Sequence, residues 1–272
     1  MTSANPYVPD PAELVEVIDE TPTIKTLVLA PSEPLNFRAG QFVQLTLPGV
    51  GEAPFTPSSS PLEPERIATT ILNTGTVTER FHECEAGMTL GLRGPFGKGY
   101  PIDKLQGKEV LVVGGGVGLA PLRALILALL ADLGKVKRLS IKYGARCVEE
   151  LLYDKECNSW TADGKVDLTR TIDNPQEGWT GRTGVVTTLL KDPDVDKSNC
   201  LCFVCGPSVM LKFATFTLIE EGFTPEQIYL SMNRRMSCGL GHCGRCNIGP
   251  YYLCKDGPDM NYALIKDYPN VF

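Results

Sequence analysis

The sequence has only two histidines in 272 residues, so catalysis or metal binding built on imidazole is not expected. No block of basic residues stands out, and the formal charge of −6 argues against a nucleic-acid surface. The longest apolar stretch, residues 119–133, is interrupted by Pro121 and Arg123, so it is too short for a membrane span of about 20 residues. Residues 1–6 lack the basic and apolar regions of a signal peptide. These absences together predict a cytoplasmic protein.

Cysteine, by contrast, is abundant: there are ten, and four of them crowd into the short C-terminal stretch 238–254. The pattern C-x4-C-x2-C followed by a distant cysteine is typical of plant-type two-iron ferredoxins. The four predicted ligands of a [2Fe–2S] cluster are Cys238, Cys243, Cys246 and Cys254. Structural zinc, which also takes four sulfurs, and unrelated free thiols are the alternatives. His242 lies within this loop, but four cysteines already complete a centre, so we expect it to be a neighbouring or surface group.

The pattern of apolar, polar and turn-forming residues along the chain predicts three parts of unequal size. Residues 1–103 contain short alternating apolar and polar runs punctuated by Pro and Gly, which indicates a small antiparallel barrel. Residues 104–231 alternate apolar strands with helices, including helices expected at 119–133 and 147–157, as in a doubly wound parallel-sheet domain. Residues 232–272 are too few and too rich in cysteine to form a core, so we expect an appendage folded around a metal centre.

A glycine-rich turn follows the first strand of the predicted parallel sheet. Backbone N–H groups at such a strand-to-helix turn can bind a pyrophosphate. The residues predicted to do so are Gly114, Gly115, Gly116, Gly118, Ala120 and Pro121. A second segment, Cys205, Gly206, Pro207 and Met210, follows a later strand and should face the same crevice, because ligands lie at the carboxyl ends of parallel strands. The alternatives are a glycine turn needed for tight packing alone and a merely buried cysteine.

The order of these pieces resembles the ferredoxin–NADP reductase superfamily over nearly the whole chain. It is most similar to the branch that contains the dihydroorotate dehydrogenase electron-transfer subunit, the gamma subunits of cytoplasmic hydrogenases and sulfhydrogenases, and the corresponding subunit of anaerobic sulfite reductase. The resemblance implies that the barrel binds FAD and that Cys205 acts beside the nicotinamide.

The flavin motif of that family, R-x-Y-[ST]-x-x-S, matches residues 53–59 imperfectly. Ala53 replaces the arginine that usually meets the FAD phosphates, and Phe55 replaces the tyrosine, so FMN is an alternative. The family's G-x-x-[ST] element matches residues 75–78, which could carry the pyrophosphate instead. The flavin contacts implied by the resemblance are Phe55, Thr56, Pro57, Ser58, Asn73, Gly75, Thr76, Val77 and Thr78.

The number of electrons that each cofactor transfers relates these sites to one another. A nicotinamide gives up two electrons as hydride, whereas a [2Fe–2S] cluster accepts one, and a flavin can mediate between them. The chain ends shortly after the cluster motif with no second redox motif, so we expect it to deliver electrons to protein subunits of a cytoplasmic redox complex. The resemblance implies hydrogenase, sulfur or sulfite reductase, or heterodisulfide-reductase chemistry in anaerobic metabolism, with flavin-based bifurcation as one option. A stand-alone NAD(P)H–ferredoxin reductase and a non-catalytic nucleotide- and cluster-binding module are the alternatives.

The choice between NAD and NADP depends on the end of the second strand of the parallel sheet. NADP sites usually present an arginine there, and Arg146 and Lys142 occupy this region. No acidic residue occupies the first three positions after that strand, although Glu149 and Glu150 follow. The sequence therefore predicts NAD(P), with Arg146 as the residue that would read the 2′-phosphate.

Overall fold

Two sheets make up most of the structure, a computed structural model that describes residues 5–162 and 164–272. Residues 1–4, part of the stretch that lacks signal-peptide features, lie outside these ranges. The strands are β1 (Asp10–Thr21), β2 (Ile24–Pro31), β3 (Phe42–Leu47), β4 (Gly51–Phe55), β5 (Ile67–Leu72), β6 (Thr89–Phe96), β7 (Glu109–Gly115), β8 (Arg138–Ala145), β9 (Val166–Ile172), β10 (Arg182–Thr183), β11 (Cys200–Cys205), β12 (Ile228–Ser231), β13 (Asn247–Ile248), β14 (Tyr251–Tyr252) and β15 (Asp259–Asn261). The α-helices are α1 (Thr76–His82), α2 (Leu119–Leu130), α3 (Asp154–Trp160), α4 (Ser208–Glu220), α5 (Leu253–Asp256) and α6 (Tyr262–Ile265).

The first sheet is antiparallel, with strand order β4-β3-β6-β1-β2-β5. An isolated bridge between Pro57 and Thr69 links its two edges, because Pro57 follows β4 and Thr69 lies on β5. Alternate side chains of the strands point inward and form a core that includes Leu14, Leu27 and Leu45. The predicted antiparallel barrel is therefore confirmed.

The second sheet has the order β10-β9-β8-β7-β11-β12-β15 and is parallel except for its last strand. All seven residues of β7 are buried, which explains why this strand is apolar from Val110 onward: both of its faces are covered. The chain builds the sheet outward from β7 through β8 to β10 and then returns to add β11 on the other side. The order therefore reverses between β7 and β11, the place where doubly wound sheets bind ligands.

The C-terminal segment is built onto this second sheet. Its strand β15 pairs antiparallel with β12 and extends the sheet by one strand. Three of the clustered cysteines, Cys238, Cys246 and Cys254, are buried in a core that they share with Leu111 of β7 and Phe42 of the barrel. The segment therefore uses the core of its neighbours.

Two expected helices end or begin elsewhere. The helix expected over 119–133 ends at Leu130, and a short 3-10 turn, Leu133–Lys135, follows it. In place of one helix over 147–157 there is a 3-10 turn, Val148–Glu150, and α3 starts only after Tyr153. Tyr153 has a φ of 56°, which interrupts a right-handed helix at this point.

Helix length also bears on membrane association. Among the described residues, no helix is both long enough and apolar enough to span a bilayer.

A polar network joins the barrel to the parallel-sheet part. Arg123 on α2 forms a two-point ion pair with Glu156, with N–O distances of 2.7 and 2.8 Å, and its guanidinium also donates to the carbonyl of Ser58. The same guanidinium lies 5.0 Å from the centre of the Tyr153 ring. The Tyr153 hydroxyl is 2.6 Å from Thr70 Oγ1 in the barrel. Arg123 and its neighbours therefore link the barrel to the parallel-sheet part.

We expect Arg123→Met to lower the free energy of unfolding by about 1–3 kcal/mol, because it leaves Glu156 unpaired and a buried carbonyl without its donor. Urea unfolding followed by circular dichroism measures this. Arg66→Met is the matched control, because Arg66 is exposed and lies 3.8 Å from Glu16 at the surface. Equal stability of the two variants would contradict the assignment.

Candidate cofactor and cluster site

The glycine-rich turn lies at the point where the strand order reverses. β7 runs to Gly115, a 3-10 turn covers Gly116–Gly118, and α2 begins at Leu119. A Cβ at Gly118 would lie 2.3 Å from the carbonyl oxygen of Cys205, so only glycine lets the turn after β7 approach the end of β11 this closely. Ala120 is buried and Pro121 half-buried in the first turn of α2.

Cys205 ends β11 and stands opposite Gly114 in the parallel register. It is buried, and burial raises the pKa of its thiol to about 12. Met210 on α4 packs over both Gly115 and Gly206, since a Cβ at either glycine would lie within 2.7 Å of its sulfur. The structure thus brings together the two segments that the sequence assigned to the nucleotide, with a neutral thiol between them.

A buried carboxyl group lies beside Cys205. Asp259 on β15 is 8% exposed, and neither of its carboxyl oxygens makes a hydrogen bond of normal geometry. Burial raises the pKa of Asp259 to about 7, and the nearby hydroxyls of Ser231 and Tyr100 only partly oppose this. The Tyr100 hydroxyl is also buried without a partner among the described residues. Sequence reasoning missed this group, because an aspartate after proline looks like an ordinary turn residue.

The stretch implied to bind flavin begins at the end of β4. Phe55 is half-buried, with its ring edge-on to Phe81 of α1 at 5.8 Å. Thr56 is half-buried, and Pro57 is buried at the bridge that links the sheet edges. Ser58 is fully buried: its N–H donates to Ala68 and its hydroxyl lies 2.9 Å from Thr70 Oγ1. The N–H group, the hydroxyl and, through Arg123, the carbonyl of Ser58 are therefore all engaged within the protein.

The second stretch implied to bind flavin forms the exposed start of α1. Asn73, Gly75 and Thr76 are exposed, whereas Val77 is half-buried against the barrel core. The hydroxyl of Thr78 accepts hydrogen bonds of 2.9 Å from two N–H groups, those of Thr74 and Gly75. This hydroxyl holds the turn in shape.

Three of the clustered cysteines, Cys238, Cys243 and Cys246, lie on a loop, and Cys254 lies on the short helix α5. Gly239, Gly241 and Gly244 have φ values of 74–76°, a backbone conformation that glycine adopts readily. Backbone N–H groups donate to the sulfurs: Leu240 and His242 to Cys238 at 3.3 and 3.4 Å, and Gly241 to Cys254 at 3.1 Å. Such contacts stabilise thiolates, so the donor set and its surroundings suit an iron–sulfur cluster.

The Cys238 thiol lies near that of Cys243, and the Cys254 thiol lies near those of Cys246 and Cys238. Burial raises the pKa of Cys238, but N–H donors of its loop and the Cys243 thiol outweigh this and bring it to about 6. Burial, and then the neighbouring Cys246 thiol, raise the pKa of Cys254 to about 12. Cys243 is exposed and the other three are buried. One edge of the thiol group therefore faces solvent.

The remaining residues that the sequence analysis singled out lie at or near the surface of the protein. Nδ1 of His242 is 3.0 Å from the Tyr7 hydroxyl, so this imidazole is turned to the surface. Arg146 is exposed directly after β8, and its guanidinium makes no ion pair within the described chain. Glu149 accepts a hydrogen bond of 2.7 Å from Gln176, and Glu150 accepts one of 2.8 Å from Thr23.

Two family models match the chain. The oxidoreductase NAD-binding domain covers residues 112–215, and the iron–sulfur cluster binding domain of dihydroorotate dehydrogenase B covers residues 233–266. A solved structure of an NADH-dependent reduced ferredoxin–NADP oxidoreductase is similar with a TM-score of 0.74 and 26% identity, over 94% of this chain and 91% of that one. The class is therefore an oxidoreductase with a ferredoxin-reductase type fold and an iron–sulfur domain.

Curated relatives define the family more closely. Sulfhydrogenase 1 subunit gamma of Pyrococcus furiosus is 33% identical over 100% of this chain and 97% of its own length. A Methanocella arvoryzae protein described as "probable dihydroorotate dehydrogenase B (NAD(+)), electron transfer subunit" is 34% identical over 92% of this chain and 89% of its own length. The chain belongs to the family that contains these subunits, and the predicted FAD, iron–sulfur cluster and NAD are confirmed as its cofactor types.

We expect Asp259 to make stability fall with rising pH. Its carboxyl holds a proton more tightly when folded, so its stabilising neutral form is fully present below about pH 4 and is lost as the pH rises to about 7. The difference in unfolding free energy between wild type and Asp259→Asn should therefore fall by about 1.4 kcal/mol per pH unit across this window. Urea titrations at several pH values measure it, with the exposed Asp103→Asn as control. A difference that does not change with pH would contradict the assignment.

Proposed function

We propose that this chain is the FAD and [2Fe–2S] electron-transfer subunit of a cytoplasmic redox complex, exchanging hydride with NAD(P)(H) and single electrons with a partner subunit. We further propose a division into an FAD-binding barrel (residues 1–103), an NAD(P)-binding part (104–231) and a cluster-binding segment (232–272). The observation that carries the proposal is the junction itself: one sheet contains β7, which leads into the glycine turn, β11, which ends at Cys205, and β15 of the cysteine segment.

The arrangement of the thiols supports a two-iron cluster over zinc. In a [2Fe–2S] cluster each iron takes two cysteines, whereas structural zinc takes four ligands at one point. Zinc sites more often show two C-x2-C elements, whereas only one, Cys243 to Cys246, occurs among these four cysteines, and the matched iron–sulfur cluster binding domain covers these residues. The proposed ligands are Cys238, Cys243, Cys246 and Cys254.

The chain's own residues would bind and orient the cofactors. When bound, FAD supplies a group that accepts electrons in pairs and releases them singly. Phe55 and Thr56 offer an aromatic face and a hydroxyl at the end of β4, and residues 76–78 offer the backbone N–H groups of the first turn of α1. The glycine turn would bind the dinucleotide pyrophosphate. Cys205, neutral and buried, would contact the nicotinamide and exclude water from it.

A partner subunit is supported by the names of the relatives and by one exposed surface. Both relatives cited above are named as subunits. On α4, four large apolar side chains on one side of the helix are at least 38% exposed: Val209, Phe213, Phe216 and Ile219. Contiguous apolar surface of this kind often marks a protein interface. The unpaired state of all ten cysteines suits the reducing, oxygen-poor setting that we propose.

The proposal is tested on protein purified without oxygen, by quantifying iron, zinc and flavin and recording visible and electron paramagnetic resonance spectra. We expect about two irons and one FAD per chain, and bleaching of the flavin on mixing with NADH or NADPH. Colourless protein that holds zinc would contradict the cluster assignment. A spectrum that stays unchanged with both nucleotides would instead indicate a non-catalytic binding module, and full turnover with free ferredoxin would indicate a stand-alone reductase.

A cysteine variant separates the two redox sites. We expect Cys246→Ser to abolish the cluster signal while the flavin is still bleached by the nucleotide, because Cys246 lies in the cysteine loop and not at the glycine turn. Cys147→Ser is the matched control, since Cys147 is half-buried outside the loop. Retention of a full cluster by Cys246→Ser would remove Cys246 from the ligand set.

The nucleotide preference is tested at Arg146. Glu149 and Glu150 are already bonded to Gln176 and Thr23, which leaves the exposed, unpaired Arg146 as the better reader of the 2′ position. We expect Arg146→Ala to weaken reduction by NADPH relative to NADH by about tenfold or more, the cost of losing a charged hydrogen bond. The ratio of kcat/KM values measures this. An unchanged ratio would show that Arg146 does not contact the cofactor.

A further inference from the structure

A buried arginine of the barrel contacts the loop that carries the cysteines. Arg93 on β6 is 5% exposed. Its Nε and Nη2 donate to the two carboxyl oxygens of Glu52, at 2.9 and 2.5 Å. Its Nη1 donates to the carbonyls of Pro6 and Cys238, at 3.0 and 3.2 Å, and Nη2 also donates to Ser237, at 3.4 Å. All five N–H donors of the guanidinium are therefore used.

Burying this ion pair carries a cost in free energy. Two charges taken out of water are often no more stable than a pair of apolar side chains of similar volume. The pair is nonetheless well supported, because Thr46 Oγ1 also donates to Glu52 at 2.9 Å. An apolar pair could not donate to the carbonyls of Pro6, Ser237 and Cys238, so those three hydrogen bonds are what the arginine adds.

Two neighbouring side chains of the barrel contact the same short stretch. The fully buried Gln44 donates from Nε2 to the carbonyl of Met236 at 3.0 Å. The ring of Phe96 lies against Gly239, where a Cβ would be only 2.7 Å away. The Arg93 guanidinium lies 5.5 Å from the centre of the same ring. Gln44, Arg93 and Phe96 thus form a cradle for residues 236–239, which include Cys238.

We propose that Arg93, charge-paired with Glu52, is a positioning residue for the iron–sulfur cluster: it fixes the backbone at Cys238 and sets the local charge. This inference rests on the proposed role of Cys238 as a ligand. The charges make opposite predictions for two variants. Arg93→Met leaves the Glu52 carboxylate alone near the cluster, which disfavours an added electron and lowers the midpoint potential. Glu52→Gln leaves the guanidinium alone, which raises it.

The test uses the holoprotein purified without oxygen. Iron retention is measured by competition with a chelator, and the midpoint potential by redox titration of the cluster signal. We expect Arg93→Met to hold iron about 10–100-fold less tightly than wild type. Arg93→Lys keeps the charge but not the forked donors, so its potential should stay near that of wild type while its iron retention still falls. The matched control is Arg66→Met, which removes an exposed arginine of the same barrel.

The outcomes separate this inference from the proposed function. Wild-type protein without iron would overturn the proposed function itself. Wild-type protein with a cluster, together with Arg93 and Glu52 variants that match the Arg66→Met control in both measurements, would overturn only the role of Arg93. Shifts of the same sign for Arg93→Met and Glu52→Gln would also overturn it. Should Arg93→Met fail to fold, Glu52→Gln and Arg93→Lys keep the cation and decide the question.

Discussion

The cysteine-bearing segment has no core of its own, and this packing constraint determines how the rest of the molecule is joined. Cys238, Cys246 and Cys254 are buried in one apolar cluster with Phe42 of the barrel and Leu111 of the parallel sheet. A segment of this size cannot bury enough apolar surface by itself to offset the entropy of ordering its chain. It therefore folds only against both neighbours, and the position of its thiols is fixed relative to both.

The second consequence concerns the sheet. β15 adds to the free edge of β12 through main-chain hydrogen bonds, so the segment is tied to the strand next to β11, which ends at Cys205. The strand order reverses between β7 and β11, and Asp259 of β15 faces the same region. Both ends of the cysteine-bearing stretch, residues 232–258, are thus held by the sheet whose glycine turn we propose as the site of the two-electron carrier.

Strands, turns and candidate ligands could be predicted from the sequence where a short run of residues determines them. The buried run of β7, the glycine turn after it and the cysteine spacing are each determined within a few residues. The features that could not be predicted depend on tertiary contacts. The N–H of Leu152 donates to the Tyr143 hydroxyl, and the chain turns at Tyr153 where a continuous helix was expected. β4 was missed because an edge strand tolerates the Gly and Pro that usually signal loops. Arg93 and Cys238 are 145 residues apart, so no local pattern links them.

Several buried or half-buried polar groups lie where the barrel, the parallel sheet and the cysteine segment meet. Ser58 and Arg123 join the barrel to the parallel sheet, Gln44 and Arg93 join the barrel to the cysteine loop, and Asp259 lies beside Cys205. An apolar junction would cost less to desolvate, but apolar contacts are non-directional and allow parts to shift against each other. Directional hydrogen bonds fix one arrangement, because any shift leaves a buried group unsatisfied. A protein that passes electrons between separately bound groups depends on constant distances between those groups. The polar contacts between the parts therefore fix one arrangement, at some cost in stability.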